Sequence, residues 1–346
     1  MLSIARLAKL IASPALMQLE THISNTSASH LHQLETQISS LLASQRHQLE
    51  SLLVLQGRAL AQLNNTNAPL AKLQDAEFKV FSQFGEDGIL QYLIQETAIS
   101  RAEASFIEFG VEDYSESNTR FLLLNNQWRG MIIDGSKAHM DLVRSQSMYW
   151  RYDLTAIDAW IDRDNINQLI ADKGFSGNVG ILSVDIDGND YWVWERIQVV
   201  SPVIVVIEWN SVFGPEHEVS VPYDPAFQRE KAHYSNLFYG ASIRALEHLG
   251  KRKGYALLGS NTAGNNLFFV RNDRLGRLKT VTANEAYVES RFRESRDTSG
   301  ALNFLGGLRR RAEILDVPLI DVMRDEMTTL RAQDQLISIV SIDKVL

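Results

Sequence analysis

The sequence predicts an α/β protein. A mostly parallel, Rossmann-like sheet carries helices on both faces and ends in an antiparallel hairpin, and a long helix precedes it. Three observations predict this. Short apolar runs alternate with helix-spaced segments from residue 88 onward, and several runs break abruptly into an acid or a glycine at their carboxyl ends. Two further apolar runs, 255–258 and 267–270, are joined only by a Gly/Asn-rich loop, which is a hairpin signal.

Residues 181–190 are the stretch around which the rest is arranged. The apolar Ile181, Leu182 and Val184 suit a strand buried on both faces, and the chain then turns to Asp185, Asp187, Gly188 and Asp190. The large residues at 191–197 have helical spacing, so the carboxylates fall on a strand-to-helix turn. Open α/β sheets bind ligands at that end of their strands.

Taken in order, no glycine or proline separates Pro14 from Gly57, and Leu31, Leu34, Ile38 and Leu41 follow a 3-4-3 spacing. Leu49, Leu52, Leu53, Leu60 and Leu63 continue the stripe after a shift of phase. The pattern predicts a long amphipathic helix, a stuttered coiled coil that either self-associates through residues 15–63 or folds back on the main domain. Residues 64–69 read as a linker. The division is therefore 1–74 for the helical extension and linker, 75–276 for the α/β domain, and 277–346 for a helical, charge-mixed extension.

Within the domain the expected elements are a helix over 88–94, a strand over 105–109, a helix over 116–126 and a strand over 131–134, after which Ser136 caps a helix. A third strand is placed at 148–152, ending at Asp153. A helix at 165–171, strands at 180–184 and 203–207, and a helix at 242–249 follow. The excursion 211–239 is long enough to be a lid or binding segment.

Composition excludes several functions. There is no cysteine, so disulfides, thiolate nucleophiles and Cys-bound zinc are out. The net charge is −8, and residues 76–276 alone hold −9, which argues against a nucleic-acid partner. No apolar run approaches the length of a membrane span. The cations Arg6 and Lys9 sit inside the apolar start at 2–11, a poor signal peptide and a weak membrane-surface anchor. The expected location is the cytoplasm.

Four groups of residues can carry chemistry. Gly110, after the first strand, lets backbone approach a ligand, and Glu108 can accept a hydrogen bond from a ligand's ammonium group. Asp134, about 24 residues on, sits where an acid pairs with ribose hydroxyls, or else caps a helix. Asp153 can receive an adenine amino group or cap a turn. Asp185, Asp187 and Asp190, with Glu208 and Asn210 on the neighbouring strand, offer oxygen ligands of the kind Mg²⁺ takes, and clustered carboxylates raise one another's pKa, as a general base requires. In the excursion, His233 is the base candidate, since histidine titrates near neutrality. Five strands separated by helices and a closing hairpin are the layout of a class I S-adenosylmethionine methyltransferase sheet.

The motifs Ser82-Gln83-Phe84-Gly85-Glu86-Asp87-Gly88, Glu108-Phe109-Gly110-Val111-Glu112-Asp113, Ser117-Asn118-Thr119, Trp128-Arg129-Gly130 and Val184-Asp185-Ile186-Asp187-Gly188 resemble those of the FkbM-like methyltransferase family. The resemblance runs from 82 to about 271. It implies the seven-stranded class I fold and S-adenosylmethionine-dependent O-methylation of sugars or other small metabolites. It also implies that Glu108, Gly110, Asn118, Thr119 and Asp134 line the cofactor site, with Asp185 and Asp187 facing the transferred methyl group. Two positions depart from the family pattern. Tyr114 stands where a second glycine is usual and is expected to narrow or reshape the pocket, and Asp134 stands where glutamate is usual.

The expected function is methyl transfer to a hydroxyl of a small-molecule or glycan acceptor, with Asp187 or His233 as base or a metal at Asp187 and Glu208. Two alternatives remain at this stage. One is a glycosyltransferase holding a metal on Asp185 and Asp187. The other is a non-catalytic scaffold assembled through the amino-terminal helix.

Overall fold

The computed structural model describes residues 14–64 and 70–343. The apolar start at 2–11 and the linker residues 65–69 lie outside the described residues. The chain divides into two units, Met1–Leu55 and Gln56–Leu346. In the first, the described residues belong to one helix, α1 (Pro14–Leu63), whose Leu31, Leu34, Ile38 and Leu41 are all exposed.

The second unit is built on a seven-stranded sheet. Its strands are β1 (Ser105–Phe109), β2 (Arg129–Asp134), β3 (Leu154–Asp158), β4 (Gly177–Val184), β5 (Val200–Glu208), β7 (Tyr255–Ser260) and β8 (Asn266–Arg271). Their order is β3-β2-β1-β4-β5-β8-β7. The first five run parallel, while β8 is antiparallel to both β5 and β7. This is the seven-stranded class I methyltransferase fold with its closing hairpin.

Helices cover both faces. On one, α2 (Glu86–Glu96) and α3 (Lys137–Ser145) bury Ile89, Leu90, Met140 and Val143 against Phe106, Ile181 and Ile204. The short α4 (Ser147–Arg151) follows directly. On the other face, α5 (Ile166–Ala171), α6 (Asp190–Arg196) and, after the single turn α7 (Arg229–Ala232), α8 (Ile243–Lys253) and α9 (Ala283–Ala286) pack on Ile107, Leu182 and Val205. Alternate residues of each strand feed opposite cores, so the strands read as unbroken apolar runs.

Three expected elements are corrected. Residues 148–152 are not the third strand but largely α4: Met148 is buried, Tyr149 and Tyr152 pack partly against the core, and Trp150 is 75% exposed. Burial at i, i+1 and i+4 is helical spacing, and the strand begins at Leu154. The helix at 116–126 reduces to a π turn at Leu122–Asn126, closed by Gln127 at φ 54°. Residues 277–346 are not a separate helical extension. They supply β9 (Leu319–Asp321) and β10 (Glu326–Thr328), which form a small antiparallel sheet with β6 (Val219–Ser220) of the excursion, and α10 (Leu330–Asp343). Ile314, Leu319 and Leu330 share a third core with Val212, Phe213 and Leu237. The strands β9 and β10 are three residues each, too short to leave a strand period in the sequence.

Candidate functional site

The chain runs from β1 outward to β2 and β3 on one side, then returns to build β4 and β5 on the other. The carboxyl ends of β1 and β4 therefore flank the crevice where open α/β sheets take ligands. Gly110, at φ 69°, packs its backbone so closely that a Cβ there would lie 1.7 Å from the Asp185 carbonyl oxygen. Only glycine satisfies both the left-handed φ and the contact.

After β4 the chain makes a tight turn. The buried Asp190 carboxylate accepts from Ile186 N at 2.8 Å and Gly188 N at 2.9 Å, and Asp187 takes φ 55°. Since Val184 pairs with Ile207, Asp185 and Glu208 emerge side by side. Carboxylate oxygens of Asp185, Asp190 and Glu208 all lie within 4.8 Å of one another. Glu208 Oε2 is buried and has no hydrogen-bond partner among the described residues. Burial, then the neighbouring carboxylates, hold Asp185 and Glu208 well above the usual range, and burial pushes Asp190 up to about 6 despite its two amide donors.

The metal assignment changes accordingly. Asp187 does not join Glu208, because its Oδ1 is ion-paired with Arg229 Nη1 at 2.6 Å. The set that can present oxygen atoms to one cation is Asp185, Asp190 and Glu208.

The strand-end acids on the other side have structural partners. Glu108 is buried and accepts from Ser117 Oγ at 2.6 Å, Asn118 N at 2.8 Å and Thr119 N at 3.1 Å, as well as from Thr119 Oγ1. It folds the 117–119 loop down onto the strand, and this leaves Asn118 on the cavity wall and Thr119 buried beneath it. Asp134 accepts from Glu112 N at 2.8 Å and Ser136 N at 2.7 Å, while Ser136 caps α3 as expected. A carboxylate has further lone pairs, so Asp134 retains capacity at the rim.

Three other expectations are overturned. Asp153 precedes β3 instead of ending it, so it lies at the far end of the sheet, exposed and 4.0 Å from Arg129. The acid at the true end of β3 is Asp158, held by Arg144 at 2.5 Å. His233 does not line the cavity; its ring bonds Ser235 Oγ at 2.8 Å and stacks on Tyr234. Tyr114 does not narrow the pocket. Its ring is fully buried in the core with its hydroxyl 3.0 Å from Thr119 Oγ1, and its φ of 62° is the conformation a glycine would take freely.

The excursion is tied to the α/β domain by hydrogen bonds. Trp160 Nε1 donates to Pro225 O at 2.6 Å, Asn189 Nδ2 to Asp224 O at 2.7 Å and Trp192 Nε1 to Val221 O at 2.8 Å. Under it lie two adjoining cavities. One, of about 270 Å³, runs from Gly110 and Asn118 past Asp185 and Glu208 to Tyr239, Phe292 and Arg310. The other, of about 670 Å³, lies between Asp134, Ser136, Trp160, Ile161 and Phe227. Gly110, Asp185, Asp187 and Arg229 line both.

Trp160, Tyr239, Phe292, Glu294 and Arg310 are site residues the sequence reading missed. Trp160 follows β3 directly, so correct placement of that strand would have found it. Tyr239 ends the excursion already singled out and Arg310 stands in the run Arg309-Arg310-Arg311, whereas nothing local marks Phe292 and Glu294.

No protein-family model matches the chain, and no curated protein sequence does. Among solved structures, the chain is similar to an O-methyltransferase from Bacillus cereus in complex with S-adenosylhomocysteine, at 16% identity and TM-score 0.35, over 64% of this chain and 90% of that one. It is similar to the DszA carbon methyltransferase at 14% identity and TM-score 0.35, over 54% and 52%. A third is a putative RNA methyltransferase from Pyrococcus horikoshii, at 9% identity and TM-score 0.33, over 62% and 96%.

Proposed function

We propose that the protein is an S-adenosylmethionine-dependent O-methyltransferase acting on a hydroxyl of a sugar or related small metabolite. The observation that carries this reading is the pair of joined cavities at the β1/β4 switch point, with an acid, Asp134, on the rim of one and a buried carboxylate cluster between them.

The residues present fit the cofactor's chemistry. Asp134 suits a ribose diol, Trp160 and Ile161 offer apolar surface for a base, and Asp185 and Asp187 line the crevice that the two cavities share. Bound there, S-adenosylmethionine supplies a methyl group already activated for transfer. The protein's share is alignment, exclusion of water by the lid, and removal of the acceptor's proton. Glu208 replaces Asp187 and His233 as the base in this reading, because Oε2 is buried, unpartnered and held at high proton affinity. In its ionised form Glu208 Oε2 would take the proton of the acceptor hydroxyl. The same three carboxylates offer oxygen ligands to Mg²⁺, and turnover with and without a chelator tests whether one is used.

Calorimetric titration with S-adenosylhomocysteine tests the reading. Saturable one-site binding, lost in Asp134→Ala, is the expected result, and absence of binding at millimolar ligand overturns it. The glycosyltransferase alternative is disfavoured by the ion pair that occupies Asp187, the second acid of its metal element.

A further inference from the structure

Arg229 and Arg310 are the cationic residues lining the 270 Å³ cavity, and they differ in one respect. Arg229 is neutralised by Asp187 at 2.6 Å and Glu294 at 3.6 Å. Arg310 is 4% exposed and has no ion-pair partner among the described residues. Its Nε donates to Gly307 O at 3.2 Å and its Nη2 to Ser290 O at 3.1 Å, while Nη1 has no hydrogen bond among the described residues. The next residue, Arg311, shows the ordinary alternative, pairing with Asp334 at 2.6 Å. A guanidinium taken out of water with no carboxylate in contact is costly, and burial lowers the pKa of Arg310 even though Tyr239 and Glu289 act the other way. Two backbone carbonyls nevertheless hold it in place on the cavity wall.

We propose that Arg310 docks an anionic group, a phosphate or a carboxylate, carried by the methyl acceptor. This rests on the methyltransferase reading, which puts the cofactor between the ends of β1 and β4. Arg310 lines the same cavity, as do Tyr239 and Phe292. The planar fork of a guanidinium matches either anion in two-point contact. A neutral acceptor would leave the guanidinium without an anion in contact. The acceptor class that fits is a phosphorylated or acidic sugar, or a metabolite of like charge.

The test uses the full chain as wild type, Arg310→Met and Arg310→Lys, titrated at constant ionic strength with inorganic phosphate and, separately, with acetate. Binding of S-adenosylhomocysteine is followed in parallel. The expected result is saturable binding of one anion by the wild type, at least about tenfold weaker in Arg310→Met, with nucleoside affinity unchanged. Response to phosphate alone marks a phosphorylated acceptor, and response to acetate alone a carboxylated one. No anion binding by the wild type, or equal binding by wild type and variant, overturns the proposal. So does a selective fall in S-adenosylhomocysteine affinity, which would make Arg310 the partner of the cofactor's own carboxylate. If Arg310→Met does not fold, Arg310→Lys decides, because it keeps the charge and loses the fork; unchanged anion affinity there also overturns it. Failure of the wild type to bind S-adenosylhomocysteine would sink the methyltransferase reading while the anion result is still read.

Discussion

Arg229 Nη1 stands 2.6 Å from Asp187 Oδ1, so the lid is bonded to the turn after β4 by a charge pair spanning 42 residues of chain. The same guanidinium lies 3.8 Å from the Tyr239 ring centroid and donates Nε to Asn236 O at 3.0 Å. It thus ties residues 229–239 of the excursion to that turn. Arg229→Met is expected to loosen residues 221–240 and to weaken S-adenosylhomocysteine binding by about tenfold or more, since charge-assisted contacts of this kind are worth about 1.5–3 kcal/mol. Hydrogen exchange that is unchanged over those residues would show that the latch does not hold the lid.

Asp134 links two loops through Glu112 N and Ser136 N. Asp134→Asn keeps the shape but cannot accept as strongly, and the expected stability loss is about 1 kcal/mol. Cofactor affinity should fall further than that, because the ribose contact is lost as well. Denaturant unfolding and calorimetry on the same samples separate the two effects.

Glu208 gives a pH-dependent prediction. Its folded pKa lies well above that of an unfolded glutamate, so between the two values the folded state holds a proton the unfolded state has released. Stability contributed by this group therefore falls as pH rises from the ordinary carboxylate range through the folded pKa. Glu208→Gln should raise the melting temperature at pH 8 and leave it nearly unchanged at pH 4, while abolishing transfer. A variant that is equally stabilised, or equally destabilised, at both values would remove the buried charge as the cause.

Tyr114 combines a left-handed backbone with a ring that has no exposed surface. Tyr114→Gly relieves the first and empties the second. Loss of a buried aromatic outweighs the backbone gain, so the expected net cost is about 2–4 kcal/mol, with cofactor affinity unaffected in the folded fraction. Tyr114→Phe should cost only about 1 kcal/mol, for the bond to Thr119.

Leu31, Leu34, Ile38, Leu41, Leu52 and Leu55 are each more than half exposed on α1. A stripe of this kind is expected to pair with a second copy of the chain. Sedimentation of the intact protein should show an oligomer, and deletion of residues 1–55 should give a monomer with an unchanged melting transition. A monomeric intact chain would refute self-association.

The strands were legible where burial on both faces wrote an unbroken apolar run, as in 105–109 and 203–207, and the closing hairpin was legible from its Gly/Asn loop. The third strand was not, because Met148, Tyr149 and Trp150 outweigh the modest Leu154, Ala156 and Ile157 in any hydrophobic reading, yet the exposed Trp150 sits on a helix. In the site, the residues next to strand ends were found, since sheet geometry fixes their position. Their roles were less visible: Glu108 and Tyr114 turn out to build the loop from beneath. Arg310 and Phe292 could not be found, because their approach depends on contacts more than a hundred residues away in sequence from β1 and β4.

The pairing of β6 with β9 has a consequence for biosynthesis. The floor of the cleft is encoded by residue 208, but its wall at Arg310 and the strand that clamps the lid, Leu319–Asp321, come more than a hundred residues later. A chain still emerging from the ribosome can therefore assemble the sheet and remain unable to enclose a ligand. Competence arrives only once residues 319–321 have been made.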